Sequence, residues 1–224
     1  MEYKRVTLLC GHYGSGKTNV AVNMAQDLKN QFPDKKVAVA DLDIVNPYFR
    51  SLDSKDDLMA SGIRMICSEF ANTNVDLPAL PQEIYSIVDE KDQYVIVDVG
   101  GDERGALALG RIAPGILAEN DFDMLLVVNR FRPLTPDAAS VKEVMDEISA
   151  ACGLPFTGIV NDSNLGADTD EDTVISSLDF GKDVSDLTGL PIVATCCEAS
   201  LAEALKDKIP GLFPLHLQKR PVEW

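Results

Sequence analysis

Gly11-His12-Tyr13-Gly14-Ser15-Gly16-Lys17-Thr18 decides the fold. These eight residues fit G-x-x-x-x-G-K-[ST], the phosphate-binding loop. The residues before it, Arg5-Val6-Thr7-Leu8-Leu9-Cys10, form a short apolar run suited to a buried strand. The residues after it carry Val20, Ala21, Met24, Ala25 and Leu28 at helical spacing, the stripe of an amphipathic helix over 17–31. Strand, glycine loop and helix are the context in which the motif binds phosphate. The glycines let the backbone approach a ligand closely, and the loop amides and helix N-terminus present unpaired N–H groups to an anion. The expected nucleotide contacts are Gly11, Tyr13, Gly14, Ser15, Gly16, Lys17, Thr18 and Asn19. Lys17 is also expected to act in catalysis as a point charge on the β- and γ-phosphates, and Thr18 to offer its hydroxyl to Mg²⁺.

Strand-like and helix-like segments alternate along the whole chain. The strand candidates are Arg5–Cys10, Lys36–Asp41, Ile63–Ile66, Tyr94–Val99, Met124–Asn129, Thr157–Asn161 and Ile192–Thr195. Helices are expected near 17–31, 80–89, 105–118, 136–151, 171–187 and 200–207, with Thr135-Pro136 as N-cap and first helical residue of the fourth. The strands are rich in Val, Ile and Leu with little polar alternation, as in a parallel sheet covered on both faces. The expectation is one α/β domain over residues 1–224: a doubly wound, mainly parallel, seven-stranded sheet between two helical layers.

In such sheets ligands bind beyond the carboxyl ends of the strands, so those residues carry the chemistry. Lys36-Val37-Ala38-Val39-Ala40 runs into Asp41-Leu42-Asp43, two acids that share one side of extended backbone. Beside the phosphate loop they would organise Mg²⁺ through its waters and orient an attacking water; the rival reading is that one caps the turn into Asn46-Pro47. Tyr94-Val95-Ile96-Val97-Asp98 is an apolar strand ending in an acid, the Walker B pattern, followed by Val99-Gly100-Gly101. Gly100 is expected to present its N–H to a γ-phosphate. Gly158-Ile159-Val160-Asn161 places an amide able to pair with adenine, against the alternative of a turn-forming Asn. No N-K-x-D sequence is present at that point, which favours ATP over GTP.

Bulk composition narrows the partners. The 224 residues carry 36 acids against 20 bases, a formal charge of −16, which argues against nucleic-acid binding. No apolar run approaches a membrane span, no signal segment precedes the first strand, and the proline-broken tail resembles no membrane-targeting helix, so a cytoplasmic location without a membrane anchor is expected. The five cysteines show no zinc spacing. Cys196 and Cys197 would alternate faces on a strand, one buried and one in a loop, with a soft-metal or redox role as the alternative.

Taken in order, Gly11–Thr18, Asp41-Leu42-Asp43, Val97-Asp98-Val99-Gly100-Gly101, Asn161 and the late Leu190–Ala194 segment with Glu198, Ala199 and Leu201 resemble the ParA/MinD branch of the SIMIBI P-loop NTPases (the CobQ/CobB/MinD/ParA nucleotide-binding domain). The resemblance implies an ATP-driven switch or accessory factor that hydrolyses ATP slowly and dimerises face to face around two nucleotides. The expected cofactors are therefore ATP and Mg²⁺, and the expected partners an unidentified client protein and a homodimer mate. It implies that Asp43 is the catalytic acid that positions the hydrolytic water, and that Thr18, Asp41 and Asp98 are the metal residues, the acids acting through water. His12 departs from the branch, whose usual loop has a second lysine there that reaches the partner subunit. The same scaffold also hosts small-molecule kinases and ligases resembling dethiobiotin synthetase, in which Asn46, Tyr48, Arg50 and Arg104 would hold an anionic acceptor. A non-hydrolysing ATP-binding module is the third reading.

Overall fold

A computed structural model describes residues 1–42, 55–66, 82–101 and 103–217. Eight strands of the described residues form one sheet: β1 (Val6–Cys10), β2 (Lys36–Leu42), β3 (Ile63–Ile66), β4 (Gln93–Val99), β5 (Phe122–Val128), β6 (Gly158–Asn161), β7 (Ile192–Glu198) and β8 (Leu212–Leu215). Their order is β3-β2-β4-β1-β5-β6-β7-β8 and every pairing is parallel. The chain winds outward from β1 to β2 and β3, returns to β4, and crosses β1 to continue at β5. The crevice at the carboxyl end of β1 is therefore the switch point where such sheets bind ligands.

The helices among the described residues are α1 (Lys17–Gln31), α2 (Lys55–Ala60), α3 (Ser86–Asp89), α4 (Glu103–Gly110), α5 (Ala113–Glu119), α6 (Ala138–Cys152), α7 (Glu171–Ser176), α8 (Leu178–Thr188) and α9 (Ala202–Leu205). Strand residues alternate between two cores. Leu8, Ala40, Val97 and Leu126 pack with Leu109, Ile116, Val141 and Val184 of α4, α5, α6 and α8. Leu9, Val39, Ile96 and Val127 pack with Val20, Met24 and Leu28 of α1 and Leu58 of α2. Both faces of the sheet are buried, which is why its strands read as continuous apolar runs.

Four expectations need correction. The sheet has eight strands rather than seven: Gly211–Pro214 reads as a broken tail, but β8 lies at the sheet edge, where Pro214 need not donate to a ladder. Asn23 of α1 clasps its far end, donating to the His216 carbonyl (3.1 Å) and accepting from the His216 N–H (2.7 Å). The expected helix over 105–118 is two helices, because Pro114 has no N–H and is accommodated in the first turn of α5. The helix over 171–187 divides at Ser177 into α7 and α8. The fourth expected helix starts at Ala138, capped by Asp137, whose Oδ1 accepts from Ser140 N (2.9 Å); Thr135 and Pro136 lie in the preceding turn. No helix of the described residues is long and apolar enough to cross a membrane.

Candidate functional site

The loop between β1 and α1 is shaped by positive backbone angles. Gly11, Gly14 and Gly16 have φ of 146°, 75° and 99°. Space is as restrictive as conformation: a Cβ on Gly11 would lie 2.3 Å from the Val127 carbonyl oxygen, and one on Gly16 would lie 1.8 Å from Asp162 Oδ2. Only glycine is accommodated at either place. Tyr13 is 49% exposed. Ser15 is buried; its N–H donates to the His12 carbonyl (3.2 Å), and its hydroxyl has no hydrogen-bond partner among the described residues. Lys17 is 5% exposed and its ammonium donates to the Gly11 and His12 carbonyls, both at 3.2 Å. The loop thus folds around its own lysine.

The acids of β2 and β4 come together beneath the start of α1. Strand alternation turns Val95, Val97 and Val99 to one core and Ile96 and Asp98 to the face that α1 covers. Asp98 is 1% exposed and its Oδ2 accepts from Thr18 Oγ1 at 2.7 Å. Asp41 is the register partner of Asp98 in the neighbouring strand, on the same face. The sequence expectation for Thr18, Asp41 and Asp98 is a metal site, and the fold brings these three to one corner. Asp43, Asn46, Tyr48 and Arg50 lie outside the described residues, as does the side chain of Arg104.

Gly101 lies directly against the loop, and Gly100 against α4. A Cβ on Gly101 would meet Tyr13 N at 2.6 Å, and one on Gly105 of α4 would meet the Gly100 backbone at 2.7 Å. Gly100, the expected nucleotide contact, is thus packed against α4 and precedes the glycine that meets the loop.

Asn161 is a different matter. It is 1% exposed, its Nδ2 donates to Ser177 O (3.2 Å) and Oγ (3.0 Å), and its Oδ1 accepts from Ser163 N (3.3 Å) and Oγ (2.6 Å). This amide braces β6 against the α7–α8 junction and has no edge left for a base. A depression open to solvent lies at the carboxyl ends of β6, β7 and β8, lined among others by Asn19, Asp162, Asn164, Cys197 and Glu198. Asp162 is 3% exposed. Burial pushes its carboxyl well above the usual range, and the positive charge of Arg132 pulls the other way. Nothing in a bare N-D-S sequence marks that residue, because its place over Gly16 depends on the β6 register.

Cys196 and Cys197 are both buried, on opposite faces of β7, so neither is the loop thiol that their spacing suggested. Burial raises both thiols above the ordinary range. Among the described residues no three His, Cys, Asp or Glu side chains cluster as a metal site.

No protein-family model matches this chain, and no curated protein sequence does. Solved structures do match in fold. FtsY from Mycoplasma mycoides superposes with a TM-score of 0.55 at 16% identity, over 87% of this chain and 59% of its own. The signal recognition particle 54 kDa protein from Aeropyrum pernix, solved in complex with GDP, gives 0.54 at 15% identity, over 87% of this chain and 41% of its own. The cell division protein FtsY from Thermotoga maritima gives 0.54 at 17% identity, over 85% and 60%. This chain thus spans between two fifths and three fifths of the length of these structures. What is shared is the fold, a parallel sheet covered by helices.

Proposed function

We propose that this chain binds a nucleoside triphosphate, ATP in the first instance, together with Mg²⁺, and serves as a slowly hydrolysing switch or accessory factor for a partner protein. The observation that carries the reading is the buried Thr18–Asp98 hydrogen bond at the first turn of α1, below a loop of three left-handed glycines, with Asp41 at the same register. Residues and cradle fit the group. Thr18 would ligate Mg²⁺ directly, and Asp98 and Asp41 would hold its waters. When bound, the ion neutralises phosphate charge. Lys17 would move from the loop carbonyls to the phosphates, exchanging neutral acceptors for charged ones. The buried Ser15 hydroxyl, without a hydrogen-bond partner among the described residues, is a further polar group that an anion would satisfy.

The depression at the ends of β6 to β8 is the place for the base. The missing N-K-x-D sequence supports ATP there. The order of motifs supports a ParA/MinD-like switch, a homodimer and a cytoplasmic site of action, while His12 speaks against a lysine contributed across the dimer. Asp43 is the residue proposed to position the attacking water.

The test is thermal and kinetic. MgATP at a hundredfold excess over its Kd should stabilise the fold by about 2.7 kcal/mol. Lys17→Ala should lose that gain, and Asp43→Ala should keep it while losing ADP production. An unmoved melting temperature with either MgATP or MgGTP would refute nucleotide binding; a gain with GTP alone would overturn the choice of ATP.

A further inference from the structure

The turn after β5 brings a second cation to the phosphate loop. Arg132 is held in place by its backbone: its N–H donates to the Asn129 carbonyl (3.2 Å) and its own carbonyl accepts from Thr135 N (3.2 Å). Asn129 is fully buried and fixes that turn through Phe131 N (3.0 Å) and Asn164 N (3.4 Å), both donating to its Oδ1. From there the side chain runs along the loop. A Cβ on Gly14 would stand 3.5 Å from Arg132 Nε and 3.7 Å from Cζ. Nε is buried and has no hydrogen-bond partner among the described residues. The guanidinium joins none of the ion pairs formed by those residues, although Asp162 is within electrostatic reach across the loop. A buried guanidinium nitrogen in this state burdens the fold, and a bound anion would relieve it.

We infer that Arg132 is a phosphate-contacting residue, meeting the polyphosphate of the bound nucleotide from the β5 side of the loop. It supplies within one chain a second positive charge, in a molecule whose loop carries His12 where a further lysine would stand. The inference rests on the nucleotide reading given under Proposed function. A planar guanidinium suits this task because its fork matches two phosphate oxygens at once. No sequence motif marks the residue, since its approach to Gly14 comes from the pairing of β5 with β1.

Calorimetric titrations of wild type, Arg132→Ala and Arg132→Lys with MgATP, magnesium tripolyphosphate and adenosine test the inference, with the melting temperature of each free protein measured alongside. Arg132→Ala should weaken MgATP and tripolyphosphate tenfold or more and leave adenosine unaffected. Arg132→Lys should recover part of the loss. The free Arg132→Ala protein should melt no lower than wild type, because a buried nitrogen without a hydrogen-bond partner among the described residues has been removed. Affinity within threefold of wild type overturns the inference and leaves the nucleotide reading intact. A loss shared by adenosine, or one that follows a fall in melting temperature and is not recovered by Lys, assigns Arg132 a structural role and also overturns it. Wild-type protein that binds neither MgATP nor tripolyphosphate overturns both readings.

Discussion

Arg5 precedes β1 in a run of otherwise apolar residues and is only 6% exposed. Its guanidinium donates to the Ile87 carbonyl (2.9 Å), to the carbonyls of Glu90 (3.4 Å) and Gln93 (3.3 Å), and through Nε and Nη2 to both oxygens of Glu119. Lys91 adds a second contact to Glu119 at 2.6 Å. The Arg5 fork, helped by Lys91, holds the Glu119 carboxyl below the ordinary glutamate range. The stabilisation is therefore present above the unfolded-state pKa and disappears as pH falls through the lower folded-state value. Glu119→Gln should cost about 1–3 kcal/mol at pH 7, as for a lost charged hydrogen bond. The difference in melting temperature from wild type should close as pH drops below about 4. A gap that persists unchanged well below that pH would show that Glu119 acts by packing rather than by charge. Asn161 carries the complementary lesson at this scale. Its type and strand-end position suggested a base reader, and only the approach of Ser177 reveals an amide already committed on both ends.

The elements that bear the site are joined by close backbone contact. Helix α4 meets the strand-end glycines so tightly that Gly105 has no room for a side chain, its Cβ falling 2.7 Å from Gly100 N, Cα and O. In an ordinary helix interior Gly→Ala stabilises by about 1 kcal/mol. Gly105→Ala should instead destabilise by about 1–3 kcal/mol, the range for overpacking, and weaken nucleotide binding, because Gly100-Gly101 would be pushed from its seat on Tyr13 N. Urea denaturation decides the sign: an increase in stability would mean that α4 can slide freely past Gly100. The helix boundaries illustrate what propensity can read. The period of apolar residues located α1 and α6 closely, yet it ran through the break at 111–112, since α4 and α5 turn their apolar faces to the same core, and through the break at Ser177, where Val174 of α7 packs in a separate small cluster from Phe180 and Val184 of α8.

On the scale of the whole molecule, the charge of −16 acts against compactness by self-repulsion. Eight ion pairs among the described residues offset part of it, and most are exposed pairs of small individual value. Raising ionic strength from about 10 mM to about 150 mM shortens the screening length from about 30 Å to about 8 Å. Monovalent salt over this range should therefore raise the melting temperature; a fall would mean that the pairs outweigh the repulsion. The sequence by itself determined the alternation of strands and helices, the phosphate loop, and the acids at the ends of β2 and β4, because each of these is written in local spacing and residue type. Tertiary structure alone decided that Asp41 stands beside Asp98, that Leu212–Leu215 forms an eighth strand, that Asn161 is a brace, and that Arg132 reaches Gly14. Those four depend on which strands pair and in what register, and that is set by packing between residues far apart in the chain, where no local pattern can record it.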